Sequence, residues 1–318
     1  MTLHARGHIA DHPEVVRRRA GLHLHPLFGA ILATVLPLAT TNRVNMPPAK
    51  GGPGILNQTD VGGCEGCAHA GGGTLWLAGQ GKSKGLISNV ALYLGALMFD
   101  QTLNPDGTLS TITDTGTQPS SVLSGWQTFG ARLAANDPQY PMNSSTLYKT
   151  PGDANSPLIL PAVDSGLYAD SPYRFNGAYF ITATGPARLL QLLTVLASGR
   201  PVSDAIPASG QQFQSYTGGI LGALEGPVDH ANYIVDYEWT GTPTDWVSFV
   251  VAIQQNDVAT TARLAVNLVF HCVNSWGDNT GWGEADAVST MIGGTYRANI
   301  DYINQAEDLC VLDLSAAA

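Results

Sequence analysis

Cys64 closes the run Asn57-Gln58-Thr59-Asp60-Val61-Gly62-Gly63, six residues after Gln58, and far downstream come Asp229-His230-Ala231 and Asn274-Ser275-Trp276-Gly277. A thiol, an imidazole and two side-chain amides in this arrangement read as a nucleophile, its base and two supporting groups. They serve one another only in a fold that brings distant parts of the chain together.

Acyl transfer needs a thiolate, and an ordinary Cys, with a pKa of about 8.5, is only slightly ionised at neutral pH. A helix N-terminus and a nearby imidazolium each lower that value. Ala68, Ala70, Leu75 and Leu77 after Cys64 predict a helix that opens at Cys64, which puts the sulfur at its positive end. His230 would supply the imidazolium. A base must also be held in one tautomer, so an acceptor on its other ring nitrogen is expected.

The order Gln, Cys, His, Asn resembles the papain family of cysteine peptidases, with Gly62-Gly63 in the place of the family's Gly-small pair. Gly199-Arg200-Pro201-Val202, Gln212-Phe213-Gln214-Ser215-Tyr216-Thr217-Gly218-Gly219-Ile220, Asp229-His230-Ala231, Asn274-Ser275-Trp276-Gly277 and Trp282-Gly283-Glu284 follow in the family's order. The resemblance implies an α+β, papain-like two-lobe fold over 35–318, in a bacterial or phage-type member. A helical lobe at about 55–195 would carry the central helix, and an antiparallel β-rich lobe would occupy about 200–318. It further implies Cys64 as nucleophile, His230 as general base and then acid, and Asn274 as the orienting acceptor. Trp276 would lie over the His–Asn bond. Gln58 and the Cys64 N–H would be the oxyanion donors. Thr115-Gly116-Thr117-Gln118-Pro119 resembles the family's substrate wall, which brings in Gly116 and Thr117, and Val228 and Asp229 would line the adjoining side-chain pocket.

The chain departs from the family at several places. Papain has a Cys three residues before the nucleophile, bridged to the segment ahead of the Gly-Gly wall, whereas Val61 stands here and that bridge is absent. Thr117 replaces the wall's second Gly and is expected to narrow it or shift the preferred substrate. Glu65 replaces an aromatic residue, and its carboxylate would raise the thiol pKa unless it points to solvent. The long interval from His230 to Asn274 contains Trp246-Val247-Ser248-Phe249-Val250-Val251-Ala252-Ile253, which reads as an apolar strand of an inserted hairpin. Gly71-Gly72-Gly73 implies either a close neighbour or a bend, since each Gly costs about 0.8–1 kcal/mol in a helix interior.

Elsewhere, apolar spacing predicts helices over 87–99, 122–133 and 187–196, a long irregular connection over 137–173, and a strand from Pro201 to Ile206. Charged residues make up 13% of the chain and its net charge is −10, so no basic face is expected to hold nucleic acid. Residues 1–34 lie outside the resemblance. Sixteen mixed residues precede Arg17-Arg18-Arg19, and the apolar run Leu27 to Leu36 is too short to span a bilayer, so neither a cleaved signal peptide nor a membrane span is expected. The segment is expected either to pack on its own domain or to dock into a neighbouring subunit, giving a homo-oligomer or larger assembly. It is shorter than eukaryotic propeptides, so inhibition of that type is not expected. The compartment stays open between virion-associated and secreted locations.

Cys64-Glu65-Gly66-Cys67 also admits a redox pair, or half of a zinc site completed by His271 and Cys272. Cys67 reads better as a buried small residue, His69 as structural, and His4, His8 and His12 as a solvated or subunit-facing stripe rather than a metal site. Cys272 and Cys310 could pair. No cofactor or metal is expected. The sequence therefore points to a cysteine endopeptidase that cleaves peptide or protein substrates through a thioester acyl-enzyme. The alternative is a structural or assembly component, for example of a phage particle, that keeps the fold with or without activity. Acyl transfer on a cell-wall peptide by the same four residues is a third reading.

Overall fold

The computed structural model describes residues 41–42, 56–153, 155–160, 173–277 and 294–316. The 1–34 appendage with its histidines and the segment Trp282-Gly283-Glu284 lie outside them. In chain order the elements are β1 (Thr41–Asn42), α1 (Cys64–Gly79), α2 (Asn89–Phe99), α3 (Pro119–Phe129), β2 (Tyr173–Phe180), α4 (Gly185–Ala197), β3 (Val202–Ile206) and β4 (Ile220–Leu221). They continue with β5 (His230–Trp239), α5 (Pro243–Gln254), α6 (Val258–Leu264), β6 (Leu268–Val273), β7 (Thr295–Ala298), α7 (Ile300–Gln305) and β8 (Glu307–Ala316). Single helical turns stand at Ser144–Leu147 and Gln211–Gln214. No described helix is long and apolar enough to cross a membrane.

One sheet runs β2-β8-β3-β5-β6-β7-β4, with β1 paired to the far end of β5. Every pairing is antiparallel except β4 with β7. This is the α+β arrangement that the resemblance implied. Strand β5 is central and covered on both faces, which explains why polar Asn232 and Asp236 are buried along with its apolar residues. On one face Ile234, Tyr237 and Trp239 join the core made with α4 and α5. On the other, Ala231, Tyr233 and Val235, with Val273 of β6, meet Cys64, Ala68 and Leu75 of α1. A third cluster holds α2, α3 and the remainder of α1 against Tyr173, Ala178, Cys310, Leu312 and Leu314 of β2 and β8.

Helix α1 is buried from Cys64 through Leu77, so it has no solvent stripe and no amphipathic signature. Within the glycine run a close neighbour accounts for Gly73, where a Cβ would come within 2.9 Å of Leu314 Cδ1 and 3.2 Å of Ile87 Cδ1. Helix α2 starts where Ser88 Oγ accepts the Ala91 N–H at 3.0 Å. Helix α3 has Pro119 in its first turn and stops at Gly130, whose φ is 79°.

One expectation is overturned. Trp246 to Ile253 lies in helix α5, and the insertion between the neighbouring strands β5 and β6 is the helix pair α5–α6 rather than a hairpin. Thr242 Oγ1 accepts the Asp245 N–H at 3.1 Å and donates to its carboxylate at 2.7 Å, with Pro243 in the first turn. That is a helix start written in the sequence. Trp246, Phe249, Ala252 and Ile253 then face the core at helical spacing, and the Trp246 ring lies 5.2 Å from that of Trp239. The valines, which suggested a strand, include Val247 and Val251 on the exposed side.

Two stability predictions follow from the packing. Helices α2 and α3 cross at Gly95 and Gly125, where a Cβ on Gly125 would sit 2.5 Å from the Gly95 carbonyl carbon. Gly125→Ala is therefore expected to cost about 1–3 kcal/mol in denaturant unfolding. Within the sheet, buried His271 of β6 has Nδ1 2.5 Å from Asp236 Oδ1 and Nε2 3.5 Å from Glu238 Oε1. Burial alone would lower its pKa, but the bonds and charges of Asp236 and Glu238 outweigh burial and push it up to about 9. The imidazolium thus adds stability in full below about pH 6.5, the unfolded value, and loses it as pH rises through the folded value. Thermal melts of His271→Gln against the native protein should show a difference that shrinks between these pH values.

Candidate active site

The segment around Asn274 is tied to the segment ahead of Cys64 by backbone pairing. Gln58 N donates to Ser275 O at 2.8 Å, Gly277 N donates to Leu56 O at 3.0 Å, and Asn57 and Trp276 form an isolated bridge. Chain positions more than two hundred residues apart are thereby adjacent. His230 opens β5 and Asn274 directly follows β6, its antiparallel neighbour.

His230 Nε2 lies 2.7 Å from Asn274 Oδ1. The same oxygen accepts the Ser275 backbone N–H at 2.7 Å, which identifies it as the carbonyl end of the amide. His230 Nε2 must therefore carry the proton, and the basic lone pair belongs to Nδ1. Trp276 packs beside the pair with its ring centroid 5.1 Å from that of His230, and Phe213 meets Trp276 edge-on at 5.3 Å. Both rings are buried, so water is kept from the His–Asn bond. Ser275 Oγ donates to Gln58 Oε1 and lies 3.4 Å from His230 Nε2. Accepting that bond turns the amide's NH2 end toward the loop before Cys64, where Gln58 Nε2 donates to Val61 O at 3.1 Å.

Cys64 is the first residue of α1, and its sulfur is within reach of the Ala231 N–H, next in the chain to His230. Cys64, His230, Gln58, Asn274 and Trp276 thus converge between α1 and the β5–β6 edge. Cys64 and His230 each have 0% exposure. Burial, and then the charge of Glu65, push the Cys64 thiol well up from its ordinary value, against the smaller lowering by the Ala231 and Glu65 N–H groups. Burial and the Glu65 charge together favour the neutral thiol in this closed arrangement. Glu65 does not point to solvent: it is buried, with Oε2 3.3 Å from His69 Nδ1 one turn along the helix.

Gly116 has a φ of 76° and Thr117 is buried, so Thr117 presents no exposed side chain to a cleft. A cavity of about 310 Å³ lies along Thr115 to Gln118, bounded by Leu97, Asp100 and Thr111, and its lining includes none of Cys64, His230 or Asn274. Val228 is half-buried. The Asp229 carboxylate accepts the Ala208 N–H at 2.8 Å, which ties the entry of β5 to the chain after β3 and fixes where His230 begins. Ser275, Phe213 and Asp114 carry parts of the site that sequence reasoning left without a role. The first two lie inside the matched runs, whereas Asp114 had no signal beyond its place two residues before Gly116. Val61 and the segment ahead of Gly116 are joined without a disulfide: Gly62 N donates to Asp114 Oδ1 and Oδ2, both at 3.0 Å.

All four cysteines are free thiols. Cys272 and Cys310 sit on strands separated by β3 and β5. Cys67 Sγ accepts from Asn89 Nδ2 at 3.0 Å, and burial pushes that thiol up to about 12. With His271 engaged by Asp236 and Glu238, the zinc reading has no shared site, and no group of three candidate metal ligands occurs among the described residues.

No family model and no curated protein matches the sequence. Solved structures do match the fold. Xylellain, a cysteine protease from Xylella fastidiosa, aligns with a TM-score of 0.59 and 16% identity over 97% of this chain and 96% of that one. The cysteine protease and lectin-like domains of Cwp84, a surface layer associated protein of Clostridium difficile, align at 0.56 and 13% identity, over 90% of this chain and 54% of that one. Digestive procathepsin L 3 of Tenebrio molitor aligns at 0.53 and 17% identity over 90% and 72%. The fold is papain-like.

Glu65→Gln would remove the carboxylate beside the thiol. The pH midpoint for alkylation of Cys64 by iodoacetamide is expected to move down in this variant. An unmoved midpoint would mean that the Glu65 charge does not act on the thiol.

Proposed function

We propose that this chain is a cysteine endopeptidase with Cys64 as nucleophile and His230 as base. The observation that carries the reading is the His230 Nε2 to Asn274 Oδ1 bond of 2.7 Å, with the Asn274 oxygen identified by the Ser275 N–H. It leaves the basic lone pair on the nitrogen that a thiol at the start of α1 would address. In the proposed cycle Cys64 passes its proton to His230 Nδ1 and its sulfur attacks the carbonyl carbon of an extended peptide. Gln58 Nε2 and the Cys64 N–H stabilise the oxyanion. His230 protonates the leaving amine, and the resulting thioester is hydrolysed by a water that His230 deprotonates. Gly116 would offer backbone to the substrate, and Val228 and Asp229 would border the neighbouring side-chain pocket. No step calls on a metal or cofactor.

A second reading is favoured by one observation, the complete burial of Cys64 and His230 together with the upward shift of the thiol. An assembly component that keeps the fold without turnover would have such a site. The two readings part on reactivity. Under the first, incubation with an epoxysuccinyl thiol-protease inhibitor gives a single adduct on Cys64 by peptide mass spectrometry, and Cys64→Ala loses all peptide turnover while melting like the native protein. No adduct, or equal labelling of Cys67, would favour the second.

A further inference from the structure

We propose that Asp114 is a positioning residue for the Cys64 site, a carboxylate clamp that joins the turn before the thiol to the segment carrying Gly116. The inference rests on the reading of Cys64 as nucleophile and deepens it. Both Asp114 oxygens are 3.0 Å from Gly62 N, two residues before Cys64. Tyr93 of α2 and Tyr148 each donate a hydroxyl to the same carboxylate. The Tyr93 hydroxyl also accepts from the Gly116 backbone, so Gly62, Asp114, Tyr93 and Gly116 form one continuous hydrogen-bonded chain. Tyr93 is buried in α2 and supplies a rigid anchor.

The need for such a clamp is physical. Gly62-Gly63 is the most flexible backbone pair that could precede a nucleophile. A group that must serve one N–H and two phenols at once has to be an acceptor throughout, which a carboxylate is and an amide is not. The other end of the turn is pinned separately, where Ser144 N donates to Asp60 Oδ1 at 2.9 Å and Thr59 Oγ1 to Met142 O at 2.8 Å. With both ends held, the Cys64 N–H and the Gly116 backbone keep a fixed separation, and these are the two places that would hold a substrate carbonyl and its chain.

The test compares Asp114→Ala, Asp114→Asn and Tyr148→Phe with the native protein by hydrogen exchange, by melting temperature and by kcat and KM on a peptide substrate. In Asp114→Ala the amides of 58–64 are expected to exchange at least about tenfold faster while those of α2 do not change. Its kcat should fall about tenfold or more, because small misplacements of reacting groups are costly. Asp114→Asn keeps one acceptor oxygen for Gly62 but turns an NH2 toward a donor, so it should recover only part of kcat, and Tyr148→Phe, which leaves the carboxylate in place, should lie nearer the native value. A purely structural role would lower the melting temperature and spare kcat in all three. Unchanged exchange at 58–64, or faster exchange with native kcat, would overturn the clamp. Should Asp114→Ala fail to fold, the other two variants decide by the same criteria. A native protein without turnover would sink the peptidase reading alone, and the exchange comparison would then judge the clamp by itself.

Discussion

The site depends on the contact of helix α1 with strand β5. Cys64, Ala68 and Leu75 on one side and Ala231, Tyr233, Val235 and Val273 on the other form a small apolar cluster of their own between two larger cores. Cys64 belongs to this packing as an apolar group as much as to the proposed site. Because α1 is buried all round, its axis is set by contacts from every side, and a thiol on its first residue inherits that precision. His230 has the matching position at the start of β5.

Around this contact the polar groups are held by one another rather than by water. Asn274 orients His230, Ser275 N orients Asn274, and Ser275 Oγ orients Gln58. Each member is buried, so each bond is strengthened by a low dielectric and its loss would leave a desolvated group behind. The arrangement fixes tautomer and amide orientation through neutral amide and hydroxyl groups. It also has an energetic consequence for the thiol: the burial that makes the network specific opposes ionisation, and Glu65 adds to that opposition. A working enzyme would have to offset both when substrate enters, through the positive charge that His230 gains.

Several features were legible in the chain. Helix α1 opens at Cys64 as its sequence suggests, and the order Gln58, Cys64, His230, Asn274 anticipated which groups converge. The glycines of α1 announced a close approach, which Gly73 makes against Leu314 and Ile87. The run from Trp246 to Ile253 misled because half of its residues are β-branched, although Thr242-Pro243-Thr244-Asp245 already spelled a helix cap. There the local start signal outweighed the propensity of the valines, since α5 buries Trp246, Phe249, Ala252 and Ile253 on one face.

The sequence by itself determined the residue types of the candidate site, their order, and the helix that begins at Cys64, because these are properties of residues close together in the chain and can be read locally. Only the tertiary structure decided which nitrogen of His230 is protonated, that Glu65 turns inward to His69, and that Asp114 holds Gly62. These outcomes depend on contacts between segments tens to hundreds of positions apart and on how deeply each group is buried, and no local pattern encodes either.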